Sequence, residues 1–495
     1  MKNIEADFSS PRRQSPVALI FLAYKYFKII VRTIWPIALA LLVGKEDYKP
    51  FLLYGLILIS IFLIIFTIID YFRFQFFIGN NEIVIEKGVF KRSKTNIPFD
   101  RIQSINLEQG VLHQLLNVTK LEIDTAGSKE IEFSFSAFEI SLAEKLRATI
   151  LDKKVSAGNL IENIKDERIK SDTLFMSLSF SDLLKLGILQ NHIKSFFIIL
   201  AFLLSLYAYT DDFGFDAYEI SKEIGVEMLE IWKIAIFTFA VFSIAISFLF
   251  SLIRTVIIHF DFRISRTLDG YKIISGLFNK KQLTVRDKKI QIIEWKDNPL
   301  KRLAGIYDVY LKQASSITVS NKDAVIIPAC NKSMIERIKS DYFSDEEWEG
   351  LIQIPFSDKI IFYTTLLQGF FPAMISWVII LIYGTPSLLI LPLLWIALIF
   401  FSARLRYSRW KCSCNEHILF LQKGMFSNNC VALKIYKIQT ISMRQNWYQK
   451  SKNLSDVIIY TAAGKILLPF LDNNISGKML NYFLHKVEND HRKWM

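Results

Sequence analysis

The chain has 495 residues, of which 52 % are hydrophobic and 22 % charged, with a mean hydropathy of +0.29. That apolar mass excludes an ordinary soluble protein, and the charge excludes one buried wholly in lipid. Lys and Arg number 60 against 47 Asp and Glu, a formal net charge of +13, and four cysteines (Cys330, Cys412, Cys414, Cys430) are too few for a disulfide framework.

Residues 1–10 are polar, with Glu5 and Asp7, and no small-residue cleavage site follows the first apolar run, so no cleavable signal peptide is expected. About 20 apolar residues cross a bilayer as helix. Segments 51–71, 231–257 and 387–403 are apolar apart from charges near their ends (Asp70, Lys233 and Arg254). Their partners 17–44, 183–209 and 359–384 open amphipathically, after Ser15-Pro16, Ser181-Asp182 and Ser357-Asp358, and become apolar later. These openings are expected to lie along the headgroups, with Lys25, Lys28, Arg32, Lys185 and Lys194 snorkelling. The spans proper are then roughly 33–44, extended backward at a tilt, 195–209 and 369–384, making six in three hairpins.

The tips of the hairpins are poor in Lys and Arg. Segment 44–50 holds two lysines and two acids, 384–386 no charge, and 210–230 one lysine (Lys222) against seven acids. Arg73, Arg254, Arg263, Arg404, Arg406 and Arg409 end or follow the second spans. The N-terminus and the soluble domains are therefore expected in the cytoplasm.

Between spans the hydrophobic period changes to two and a pattern returns three times. Gly88, Gly276 and Gly424 each stand 15 residues before Gln103, Gln291 and Gln439, which stand 23 before Ala126, Ala314 and Ala462. Each copy reads as several short strands closed by an amphipathic helix, a small antiparallel barrel or sandwich. The expected division is tail and hairpin 1–71, domain 72–152, linker 153–180, hairpin 181–257, domain 258–343, linker 344–356, hairpin 357–403 and domain 404–495.

The glycines are expected to take a positive φ at a strand end. Phe90, Phe278 and Phe426, two residues on, are expected to point into the barrel. Strand alternation sends Ile102 and Ser104 one way and Gln103 the other, which leaves a structural role or a partner contact open for the three glutamines. The alanine position is read as a tightly packed turn.

The runs Lys87-Gly88-Val89-Phe90, 97–105 (IPFDRIQSI) and 115–127 (LLNVTKLEIDTAG), with the terminal helix, resemble the bacterial pleckstrin-homology domain of the second type. Three such domains alternating with hairpins are similar to the YdbT-like membrane proteins. The second copy departs, with Arg286-Asp287-Lys288-Lys289 at the turn and Leu303-Ala304-Gly305-Ile306 in place of Leu115-Leu116-Asn117-Val118. The resemblance implies a bacterial inner membrane and, more loosely, a part in envelope assembly or stress defence. Fold similarity does not by itself carry an activity.

Charge separates the copies: residues 72–179 hold 15 basic and 15 acidic side chains, 263–343 hold 16 and 8, and 404–495 hold 15 and 5. A basic side chain near an anionic leaflet gains about 1 kcal/mol. Lys280, Lys281, Arg286, Lys288 and Lys289, with Arg404, Arg406, Arg409 and Lys411, are thus the candidates for anionic-headgroup contact, although topology accounts for part of their number. The chain lacks a phosphate-cradling Gly-rich loop, a Gly-x-Ser-x-Gly elbow and His-Glu-x-x-His. Cys412, Cys414, His417 and Cys430 invite a zinc reading, but Cys-x-Cys is a weak spacing without counterparts in the other copies.

Catalytic residues, cofactors, metals and nucleic acid are therefore not expected. The sequence reads as a non-enzymatic polytopic protein whose domains are a membrane-surface or protein-docking scaffold, its partners the bilayer and a membrane protein or further copies of itself. The alternative is a lipid or small-molecule transporter gated by the domains.

Overall fold

The computed structural model describes residues 8–42, 49–125, 133–157, 173–190, 192–207, 228–267, 270–314, 324–384 and 386–490. Ala126 and most of the segments 44–50 and 210–230, expected as hairpin tips, with Lys222, lie outside the described residues. Two compact units divide the chain, 1–178 with 257–284 and 179–256 with 285–495.

In the first unit, residues 8–12 run beside β1 (Gln75–Ile78). Ile78 N donates to Phe8 O at 2.7 Å, and Arg12 and Phe76 exchange backbone hydrogen bonds of 2.8 Å. The helices Ala18–Leu42 and Lys49–Arg73 fall between these two segments in sequence. β2 (Glu82–Lys87) and β3 (Ser93–Pro98) complete an antiparallel three-stranded sheet. After a single turn at Phe99–Arg101 come β4 (Ile102–Gln109), β5 (Val118–Thr125) and β6 (Phe133–Glu139), then the helix Ile140–Ala157. Burial alternates along β5, so Leu121 and Ile123 face inward. They join Phe76, Ile85, Ile97 and Phe135 in one apolar cluster, which Leu146 and Ile150 of the helix close. The second copy adds β7 (Thr173–Ser177), β8 (Arg263–Thr267), β9 (Gly270–Ser275) and β10 (Lys280–Arg286), and seven strands run in the order β6-β5-β4-β10-β9-β8-β7.

The second unit repeats the arrangement one copy later. β11 (Ile290–Lys296), β12 (Tyr307–Gln313) and β13 (Ala324–Cys330) precede the helix Lys332–Tyr342. β14 (Ile352–Ile354), β15 (Lys411–Cys414), β16 (Ile418–Lys423) and β17 (Asn429–Lys434) follow, in a sheet ordered β13-β12-β11-β17-β16-β15-β14. β18 (Ile438–Arg444), β19 (Leu454–Thr461) and β20 (Gly464–Asp472) form the last sheet, capped by Asn473–Asn489. Leu421, Leu433, Ile459 and Leu468 meet Met479 and Phe483 of that helix in its core.

Among the described residues, three helices are long and apolar enough to cross a bilayer: Phe237–His259, Lys359–Tyr383 and Ile390–Arg409. The second passes through a π-helical stretch, Thr365–Phe370. Leu393, Leu394 and Leu398 of the third are exposed, as lipid-facing side chains are. In the second copy the amphipathic opening is a separate helix, Phe180–Ile188, whose cap is Ser179 rather than Ser181. Ser179 Oγ accepts from Asp182 N at 3.2 Å and the Asp182 carboxylate accepts from Ser179 N at 3.1 Å.

The segments 153–180 and 344–356, read as linkers, hold β7 and β14. Each pairs antiparallel with the strand that follows the next helices in sequence, β8 and β15. The membrane helices are thus an insertion between two paired strands. At five and three residues these strands are too short for alternation to register beside longer apolar runs.

Candidate functional site

Gly88, Gly276 and Gly424 have φ of +116°, +107° and +143°. A Cβ there would come within 2.0, 2.1 and 1.7 Å of the carbonyl oxygens of Lys91, Asn279 and Ser427, so no other residue fits. The turn that the glycine opens explains why Phe90, Phe278 and Phe426 do not point into the barrel: they are 87, 53 and 56 % exposed. They sit on the hairpin turn, where strand alternation no longer applies.

The glutamines differ from simple alternation as well. The pairing of β4 with β5 shifts between Ile102 and Ser104, that of β11 with β12 between Ile290 and Ile292, and that of β18 with β19 between Ile438 and Thr440. Each repeat glutamine is thus the extra residue of a β-bulge, which bends the strand beginning there. Gln291 is fully buried, whereas Gln439 is exposed. Ala314 and Ala462 follow strand ends, Ala314 N donating to Lys289 O at 2.8 Å.

The bent strands carry the junctions between repeats. β10 lies antiparallel to β4, with Lys280 opposite Gln109, Lys281 opposite Glu108 and Gln282 opposite Leu107. β17 lies antiparallel to β11, from Ile292 opposite Leu433 to Lys296 opposite Asn429. The register is the same: in both, the residue five places past the glutamine faces the residue five places past the next glycine.

Side chains at equivalent positions hold both. Gln114 Nε2 donates to Leu277 O at 3.0 Å and Phe278 O at 3.3 Å. Arg302, also eleven places past its glutamine, donates to Phe426 O at 2.9 Å and grips the Asp297 carboxylate through Nε and Nη2 at 3.0 and 2.6 Å. Asp297 Oδ1 also accepts from Asn428 N at 2.8 Å. In the first junction Glu108 accepts from Lys281 at 2.9 Å and Asn279 at 3.0 Å. Burial pushes the Glu108 carboxyl up, but these hydrogen bonds and the charges of Lys281 and Lys120 prevail and hold it below the usual carboxylate range.

None of these residues stands out in a single copy. A signal was nevertheless present, since the position eleven past the glutamine carries a long polar donor in every repeat: Gln114, Arg302 and Lys450.

The basic candidates divide between the two units, Lys280 and Lys281 in the first and the others in the second. Lys281 is spent on Glu108. Lys280 and Lys288 are exposed, whereas Lys289 is buried. Arg404, Arg406 and Arg409 end the helix Ile390–Arg409, Lys411 begins β15, and Arg409 donates to Phe426 O at 3.4 Å. Lys437, equivalent to Lys289, is also buried and donates to Lys288 O at 2.9 Å and to Ile290 O. Among the described residues no group of three His, Cys, Asp or Glu side chains is placed to hold a metal ion. Cys412 and Cys430 are buried side chains of β15 and β17.

Repeated half-sheets, each closed by a C-terminal helix and interrupted by membrane helices, define the class as a membrane protein built from small β domains. Residues 22–154, 197–345 and 365–486 each match the family model described as bacterial PH domain. The chain belongs to that family and is a transmembrane protein with three PH repeats. It is 23 % identical over 472 residues to the UPF0699 transmembrane protein YdbT of Bacillus subtilis (strain 168), an alignment covering 90 % of this chain and 92 % of that one.

Proposed function

We propose that the protein is a non-enzymatic, multi-pass protein of the bacterial inner membrane, with six spans in three hairpins. Its N-terminus and PH domains lie in the cytoplasm and form a docking scaffold against the anionic membrane surface. The observation that carries this reading is the junction itself. Neighbouring repeats are joined edge to edge through backbone hydrogen bonds, an arrangement suited to presenting fixed surfaces rather than to moving a substrate. The exposed Lys280 and Lys288, and the basic end of Ile390–Arg409, then lie within reach of headgroups. A place in envelope assembly or stress defence fits such a scaffold. Domain limits near 72–152, 258–343 and 404–495 accompany this reading, with the strands β7 and β14 assigned to the domains they extend.

The test uses the full chain in nanodiscs, with an environment-sensitive fluorophore on Lys288→Cys. A blue shift is expected with anionic lipid and not with neutral lipid, lost as salt rises. The same spectrum in both lipids would remove surface docking. Proteoliposomes loaded with a headgroup-labelled lipid test the alternative, transport: protein-dependent movement of that lipid between leaflets would replace the scaffold with a conduit.

A further inference from the structure

Each junction joins a strand that follows the repeat glutamine to a strand that follows the repeat glycine. Three repeats hold three of each, and two junctions use two of each. Among the described residues one of each remains: β3 is the edge of its sheet, hydrogen-bonded on one side to β2, and β18 is the edge of its sheet, hydrogen-bonded on one side to β19. We propose that the β3 edge of one molecule pairs antiparallel with the β18 edge of a second copy, in the register of the two internal junctions. Ser93 then lies opposite Arg444, Lys94 opposite Met443 and Thr95 opposite Ser442. This names a partner for the docking scaffold and rests on that reading.

Both edges are suited to it. Burial falls stepwise across the equivalent strands, from β11, buried at Ile290 to Trp295, through β4 to β18, where Gln439, Thr440, Met443 and Arg444 are exposed. An uncovered edge of this kind is a template for another strand. Proline is a usual block to edge pairing. Pro98 stands ten places past Gly88, while pairing at β17 ends at Leu433, nine places past Gly424. The proline therefore falls just outside the paired stretch.

The side-chain clamp is also in place. Lys450, at the position of Gln114 and Arg302, is exposed in the short helix Trp447–Ser451. Its equivalents donate to the carbonyls of Phe278 and Phe426, so its target is the carbonyl of Phe90 in the second copy. Phe90 is the most exposed of the three repeat phenylalanines, and Trp447, beside Lys450 in that helix, is 68 % exposed. The contact is head-to-tail, each molecule offering β3 to one neighbour and β18 to another, or both to a single partner in a closed pair.

Two full-length chains carrying different tags and Cys414→Ser are co-expressed in one membrane, one with Lys94→Cys and the other with Met443→Cys. Both positions are exposed, so neither change disturbs the core. The remaining native thiols are buried, with burial pushing Cys330 up to about 12 and Cys430 up to about 11, and stay unreactive. Mild oxidation is expected to give a mixed-tag disulfide in about tenfold excess over either same-tag product, and Lys450→Glu in the Met443→Cys chain is expected to reduce it. Moving the first cysteine to Lys91, off the strand, is expected to abolish it. Equal mixed-tag and same-tag yields, bridging to a different protein, or a bridge forming only within a chain that carries both cysteines would each overturn the proposal. If no bridge forms but the nanodisc probe still reports lipid, self-pairing falls and surface docking stands. If the bridge forms and the probe is silent, the reverse holds.

Discussion

At the β4–β10 junction, backbone pairing covers Lys280–Gln282 against Leu107–Gln109, and the polar side chains Glu108, Lys281 and Asn279 hold it at its half-open rim. At the β11–β17 junction it covers Ile292–Lys296 against Asn429–Leu433, with Ile292, Ile293, Val431, Ala432 and Leu433 all buried. The charged group of the second junction is inside: the Asp297 side chain is 0 % exposed and bonded to Arg302 and to the backbone of Asn428. Bulge, register and clamp position are shared, so register does not depend on composition. What composition changes is strength, because apolar area and desolvated hydrogen bonds stabilise more than exposed ion pairs do.

The largest effect is expected at Asp297. Asp297→Ala removes a fully buried carboxylate, taking one acceptor from the Arg302 guanidinium, which keeps the Phe426 carbonyl, and the acceptor of the Asn428 amide, at a cost of about 2 kcal/mol. Thermal unfolding of the full chain in detergent is expected to show it as a lowered Tm. Adding Arg302→Met is expected to recover part of the loss, since the stranded charge goes with its partner. A single variant that melts with the wild type would show that the second junction is held by its apolar pairs alone.

This contrast was only half legible in the sequence. The repeat stood out because Gly88, Gly276 and Gly424 obey a steric demand that no other residue meets. The glutamines stood out for spacing, yet their meaning lay in the pairing of β4, β11 and β18 with their neighbours, and one-dimensional alternation takes no account of a bulge. Phe90, Phe278 and Phe426 misled for a related reason, because a residue two places past a left-handed glycine belongs to the turn and not to the strand. The junctions were hidden because an edge-to-edge contact uses backbone groups, which every sequence possesses. Only the clamp position left a trace, as Gln114, Arg302 and Lys450.

A pH profile sharpens the comparison from the side of the second junction. Burial first, then the charge of Lys434, lowers the Lys437 ammonium from 10.5 to about 8, despite the opposing Asp287. Between about 8 and 10.5 the folded chain therefore holds fewer protons at this site than the unfolded chain, and stability rises with pH by up to ~1.4 kcal/mol per pH unit. Tyr342, raised well above 10.0 chiefly by burial, opposes this at the alkaline end, because the unfolded phenol ionises first. The buried thiols, with Cys330 pushed up to about 12 and Cys430 up to about 11, oppose it too from their ordinary value of 9.0 upward, so the clean window is about pH 8 to 9. Lys437→Met is expected to flatten the rise there, and parallel profiles for the two proteins would assign it to other groups.

The smallest effect is expected at the rim of the first junction. Glu108 is held low by Lys281 and Asn279, so its contribution is present above the ordinary carboxylate range and is lost as pH falls through its depressed value. Lys281 keeps 46 % of its side chain exposed, and solvent screens the pair. Glu108→Gln, which keeps an acceptor for Asn279, is expected to cost about 0.5 kcal/mol at low salt and less at high salt. Asp297→Ala is expected to be insensitive to salt, being covered. Thermal unfolding of both variants across a salt series separates the two kinds of junction. A Glu108→Gln loss as large as that at Asp297 would mean that three paired residues and one rim carboxylate hold neighbouring repeats as firmly as a buried strand does, and the ranking by burial would have to be given up.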